Sequence, residues 1–169
     1  ALTDYDKKLA RQMFEKEKVL SEKEIHARHE IRLETFIKNI QIESRVLGDL
    51  AINHIIPVAI RYQNTLLENV QGLKQTFNDI DYQEFAKPHI QTSQTISRHM
   101  AEIRNQVTEM VEARKNANNI PDLFDKAISY DNTVKPYFEG IRGHVDKLEL
   151  ICDDNIWPLP KYREMLFVR

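Results

Sequence analysis

From Ile25 onward the apolar residues return at spacings of three and four: Ile25, His29, Leu33, Phe36, Ile37 and Ile40, then Leu47, Leu50, Ala51, His54, Val58, Tyr62, Leu66, Val70, Leu73 and Phe77. That is the period of one face of an α-helix. Ser21, with Glu24 three residues later, marks its start, because each side chain can satisfy a backbone amide that the first turn leaves open. A helix continuous from Glu22 to Phe77 would span roughly 80 Å at ~1.5 Å per residue. Pro57 interrupts this simple picture, since it removes an internal hydrogen bond and crowds the carbonyl of Asn53. The pattern therefore predicts a kink there or a break near Gly48.

Asn78-Asp79-Ile80-Asp81 supplies turn and capping residues. Tyr82, Phe85, His89, Ile96, Met100, Ile103, Val107 and Met110 then repeat the helical period to about Arg114. Asn116 to Pro121 reads as a loop that places proline at a first helical position. Leu123, Phe124, Ala127, Val134, Phe138, Ile141, Val145, Leu148 and Cys152 predict a further helix, bent slightly at Pro136. Leu2 to Lys18 predicts a shorter one, with Leu9, Met13 and Phe14 as its packing residues.

Short loops favour antiparallel neighbours. The expected fold is all-α: an elongated antiparallel bundle of three long helices, an N-terminal helical arm and a short C-terminal helix. The expected division is residues 1–44 for the arm, 45–152 for the bundle and 153–169 for a tail. No window alternates as a strand would.

Composition narrows the functional classes. The 24 Lys and Arg are interspersed with 26 Asp and Glu, for a net charge of -2, so no basic patch marks a nucleic-acid partner. The most apolar run, Ile52 to Ile60, contains Asn53, His54 and Pro57 and is far shorter than the ~20 apolar residues of a membrane span. A single cysteine, Cys152, fits a reducing compartment and a cytoplasmic protein. Set among Leu148, Leu150 and Ile151, it reads as a small buried hydrophobe rather than a reactive thiol.

Candidate chemistry is sparse. None of the six histidines, His26, His29, His54, His89, His99 and His144, has Asp or Glu three residues before it, so the Glu-x-x-His pattern of di-metal bundles is absent. His26 and Glu30 have the four-residue spacing of a chelating pair, with His29 beside them, but a partly exposed helix face explains them as well. Glu15 with Glu17 and Glu22 with Glu24 diverge by roughly 200° if helical, as ~3.6 residues per turn requires. Glycines at 48, 72, 140 and 143 form no phosphate loop. His54 and His99 fall on apolar faces, where a core histidine bonded to a neighbour is the expected reading. Pairs such as Asp4 with Lys8, Glu24 with Arg28 and Glu34 with Lys38 read as solvated faces. The chain is thus expected to hold no catalytic residue, cofactor or metal of its own.

The unusual segment is C-terminal. Trp157, the sole tryptophan, lies between a helix end and Pro158 and Pro160, with Leu159 between the prolines. Pro160 could open a last helix presenting Tyr162, Leu166 and Phe167. Such aromatic and apolar anchors serve either self-packing or docking to another subunit.

At these residues the chain resembles a known family. RVLGDLAINHIIPVAIRYQNTLLENVQGLKQTF (Arg45 to Phe77), MVEARKNANNI (Met110 to Ile120) and VKPYFEGIRGHVDKLELICDDNIWPLPKYREMLF (Val134 to Phe167) look like the C-terminal region of type III glutamine synthetases of the Bacteroides type. The Trp-Pro-Leu-Pro-Lys-Tyr-Arg-Glu ending is the most specific element, because periodicity alone would not produce it. The resemblance implies a large cytoplasmic parent subunit that ligates ammonia to glutamate with ATP and a divalent metal, Mg or Mn. It also implies hexameric rings, in which this part would contact the rest of its subunit and neighbouring subunits. The family's catalytic residues have no matching segments here, and none is transferred. The alternative is a free-standing helical interaction module.

Overall fold

The computed structural model describes residues 12–14 and 16–166, with backbone alone for Tyr162 and Arg163. The expected helix over Leu2 to Lys18 falls largely outside them. Its end is visible: Lys18 adopts φ 53°, and the Val19 amide reaches back to the Phe14 carbonyl at 3.0 Å, a helix stop in which glycine is the usual left-handed residue.

The fold is all-α, and no strand occurs among the described residues. Helix α1 covers Glu22–Asp49. It opens as the sequence predicts: the Ser21 amide donates to Glu24 Oε2 at 2.8 Å and the Glu24 amide donates to Ser21 Oγ at 3.4 Å. The Ser21 backbone and hydroxyl bonds hold the Glu24 carboxyl below its ordinary pKa. Glu24 is thus engaged with its cap, while Glu34 and Lys38 do pair, at 3.2 Å on an exposed face.

No break occurs at Gly48, which lies within α1. A π-helical turn, Leu50–Ile55, follows at once and leads into α2, Ile56–Thr76. The Ile56 amide bonds the Ala51 carbonyl, five residues back. Winding the chain wide just before Pro57 relieves the crowding between its ring and the carbonyl four residues earlier. The same device recurs before Pro136. Helix α4, Leu123–Ser129, passes into a π turn, Tyr130–Val134, before α5, Pro136–Ile151, and the Lys135 amide bonds the Tyr130 carbonyl at 3.0 Å, again five back.

Between these stretches α3 covers Asp79–Asn118. Asn78 caps it, its Oδ1 accepting from the amides of Ile80 and Asp81 at 3.1 and 3.0 Å. Pro88 is carried inside α3 without a π turn; Glu84, whose carbonyl loses a donor there, is exposed and open to water. Pro121 is not the first helical residue. Asp122 follows it as the cap and accepts from the Asp125 amide at 2.9 Å, because an aspartate side chain can satisfy an open amide and proline cannot. A short α6, Tyr162–Leu166, ends the described chain.

The chain divides into two compact units. The first takes residues up to Arg45 together with Met110–Pro136. Ile25, Leu33, Ile37 and Ile40 of α1 are buried in it, as are Met110, Ala117, Ala127, Tyr130 and Val134. Its polar lock surrounds the Tyr130 hydroxyl, which donates to Asn118 Oδ1 at 2.7 Å, while Gln41 Nε2 donates to that hydroxyl at 3.0 Å and to Asn118 Oδ1 at 2.8 Å. Ser44, also buried, receives the Arg114 guanidinium at 3.4 Å. The buried His29 ring stands 6.4 Å from that of Phe124.

The second unit takes Val46–Glu109 with Tyr137 onward. Its core is more uniformly apolar: Ala51, Ile55, Ile56, Val58 and Ala59 are buried in it, as are Ile96, Ile103, Val107, Ile141 and Leu148. Gln63 Nε2 donates to the Ser93 carbonyl at 2.9 Å and to Ser97 Oγ at 2.6 Å. Helices α3 and α5 come close at Gly140, where a Cβ would lie 2.2 Å from Gln106 Oε1. Glycine lets that side chain lie across α5.

Candidate functional site

The C-terminal segment emerges from α5 in the second unit. The chain leaves the helix through Asp153, whose Oδ1 accepts from the Asn155 amide at 2.8 Å. Two residues later Trp157 turns inward and is buried. The Pro158-Leu159-Pro160 run is alternately exposed and half-buried, as its restricted backbone dictates. Lys161 closes the segment by donating to the Glu149 carbonyl at 2.9 Å, pairing with the Asp154 carboxylate and placing its ammonium 5.9 Å from the Trp157 ring centroid. An ammonium within ~6 Å of an indole face is attracted to it. The turn residue, the tryptophan and the lysine thus form one local clamp.

The other tail positions point to a different use. Leu166 is 60% exposed, Met165 58% and Leu150, near the end of α5, 87%. Phe167 lies outside the described residues, and of the Tyr162 side chain only its place at the start of α6 is given. Cys152 is buried, and burial pushes its thiol up to about 11 despite the opposing charge of Lys161. A thiol so placed is a core residue, as its sequence context predicts.

The histidines do not assemble into a metal centre. His26 pairs with Glu30 at 3.6 Å on an exposed face, and His29 is buried. His54 is exposed, contrary to its expected apolar face, because the wide turn at Leu50–Ile55 shifts the positions within it off the 3.6-residue period. Among the described residues no three His, Cys, Asp or Glu side chains group around a point where a metal ion could sit. No described helix is long and apolar enough to cross a membrane. His99 is half-buried and bonded to a neighbour, as its apolar face predicts, but no sequence signal named the partner: His99 and His144, 45 positions apart, meet ring to ring. Both were visible as helical histidines, but nothing in periodicity states which faces of α3 and α5 confront each other.

Fold and geometry together define an all-α domain with extended helices and a clamped aromatic C-terminal segment. The family model described as glutamine synthetase C-terminal domain matches residues 1–74. The whole chain is 45% identical over 169 residues to a glutamine synthetase of Bacteroides fragilis, and 28% identical over 176 residues to a type-3 glutamine synthetase of Dictyostelium discoideum. It is 22% identical over 155 residues, 92% of its length, to a glutamine synthetase of Butyrivibrio fibrisolvens. The match to the glutamine synthetase C-terminal domain family is carried by residues 1–74, and the similarity to glutamine synthetases runs over the full chain. The chain spans about a quarter of the length of these relatives, 23% of the first two and 22% of the third.

Proposed function

We propose that the chain serves as the C-terminal assembly domain of a type III glutamine synthetase in the cytoplasm. In this reading the whole enzyme ligates ammonia to glutamate with ATP and Mg or Mn. Nucleotide, metal and glutamate are assigned to the remainder of the subunit, because the chain matches only 23% of its Bacteroides fragilis relative and the catalytic segments of the family have no counterpart in it. The observation that carries the reading is full-length similarity at 45% identity to a glutamine synthetase of which this chain matches only 23%.

The assembly role draws its support from the tail. Trp157 and Lys161 fix the segment on its own unit, and Leu150, Met165 and Leu166 are left exposed beside it. Exposed large apolar side chains near a rigid aromatic anchor are the material of subunit interfaces. Pro158, Leu159, Pro160, Tyr162 and Phe167 complete the proposed docking segment.

Two measurements test this. The isolated chain should form no glutamine from glutamate, ammonia and ATP, and measurable turnover would reject the assignment of catalysis elsewhere. A full-length enzyme of the family carrying Leu150→Ser, Met165→Ser and Leu166→Ser should keep its helicity but run as smaller assemblies in light scattering; intact rings would reject the docking role.

A further inference from the structure

In the second unit, His99 of α3 and His144 of α5 bring their Nδ1 atoms to 2.9 Å. The ring centroids are 5.2 Å apart, close to that distance plus the two ring radii, the largest separation the contact allows. The nitrogens therefore face each other almost head on, the geometry of an N–H···N hydrogen bond. A chelated ion would instead need both lone pairs to converge on a point off this line.

We propose that His99 and His144 form a clasp that holds α5 to α3 through a single shared proton and opens when a second proton arrives.

The chemistry follows from the inventory of an imidazole. With both rings neutral, one Nδ1–H donates to the other ring's Nδ1 lone pair. With one ring protonated, the bond persists and becomes charge-assisted, hence stronger. With both protonated, two N–H groups and two cations confront each other and no bond is possible. The same exclusion makes two facing carboxylates share one proton.

The setting favours such behaviour. The rings are half-buried, and the positions flanking them along the two helices, Ile96 and Ile103 on α3 and Ile141 and Leu148 on α5, are all buried. Burial, His144 and then Lys147 of α5 lower the pKa of His99. On α3 the neighbouring charged residues Arg98 and Glu102 are exposed, as is Asp146 on α5, which lies 3.6 Å from Arg142. From α2 the polar group beside this stretch is the neutral Gln63, held by Ser93 and Ser97.

The sign is fixed by linkage. A histidine whose folded pKa is depressed leaves the folded chain binding fewer protons than the unfolded one below the unfolded value of ~6.5. The stability is complete above that value. It declines as pH falls from there toward the folded pKa.

The test is a proton-detected nitrogen NMR titration of the imidazoles in the full 169-residue chain, from about pH 8 to about pH 5, where histidine titrates. The expected result is a coupled pair: the two rings respond together, and the second step lies at least tenfold lower in proton affinity, about one pKa unit. Two independent curves near the ordinary value would overturn the clasp. His144→Gln supplies a second measurement. It should raise the His99 midpoint and flatten the fall of Tm between about pH 7.5 and about pH 5.5; an unchanged midpoint would overturn it too. If that variant fails to fold, the wild-type titration decides alone. A rise in Tm with zinc, lost in His99→Gln, would show a chelate in place of a proton and would also count against it.

Discussion

The two units are secured by different polar devices. In the first, the Tyr130 hydroxyl, Asn118 and Gln41 close a triangle of hydrogen bonds around a fully buried ring. In the second, a pair of imidazoles bridges α3 and α5. Bonds among two side-chain amides and a hydroxyl impose one arrangement of helices with no imidazole involved. A histidine pair imposes it conditionally. The fold thus contains one lock without an imidazole and one built from two.

The apolar core of the second unit offers the sharpest way to break this contrast. Leu148→Ala, at a side chain with 0% exposure beside the histidine pair, should cost about 3–4 kcal/mol in urea unfolding. It should also abolish the histidine coupling, since α5 would lose its seat. Trp157→Ala removes the buried anchor of the tail and should cost about 3 kcal/mol. Unchanged urea stability would show that the indole contributes no packing to its own unit.

Tyr130→Phe addresses the first unit. It deletes the hydroxyl but leaves Asn118 and Gln41 bonded to each other at 2.8 Å, so the loss should be about 1–1.5 kcal/mol. That loss should be equal at acid and neutral pH; a strongly pH-dependent effect would erase the distinction between the units. The smallest effect is favourable. Gly72→Ala, within α2 with nothing within 4 Å of the added Cβ, should raise stability by about 0.5–1 kcal/mol, seen as a higher urea midpoint with unchanged slope.

Much of this was legible in the chain. The Ser21 and Glu24 cap, the Asn78 cap and the buried run Ile25, Leu33, Ile37 and Ile40 follow from spacing alone, because each depends on neighbours within one or two turns. The polar triangle did not, since Gln41 meets Asn118 and Tyr130 across 77 and 89 positions, and helical period does not specify which faces meet. His54 was misplaced for a subtler reason. A window that assumes 3.6 residues per turn cannot register a turn that holds more, so His54, late in the π turn, fell on the wrong side, while Ala51 near its start is buried as its spacing predicts. For the tail, composition identified Trp157 as unusual but could not reveal that Lys161 would close over it.

The π turns also bear on how this helix can change in length. Removing one residue from an ordinary α-helix rotates everything beyond the cut by ~100° and exchanges buried for exposed positions. Within Leu50–Ile55 the chain already carries a surplus residue, so a one-residue deletion there would restore ordinary α-helical winding rather than interrupt it. The penalty would fall on Pro57 alone, returned to a standard turn and to the carbonyl clash of about 3 kcal/mol that the wider winding avoids.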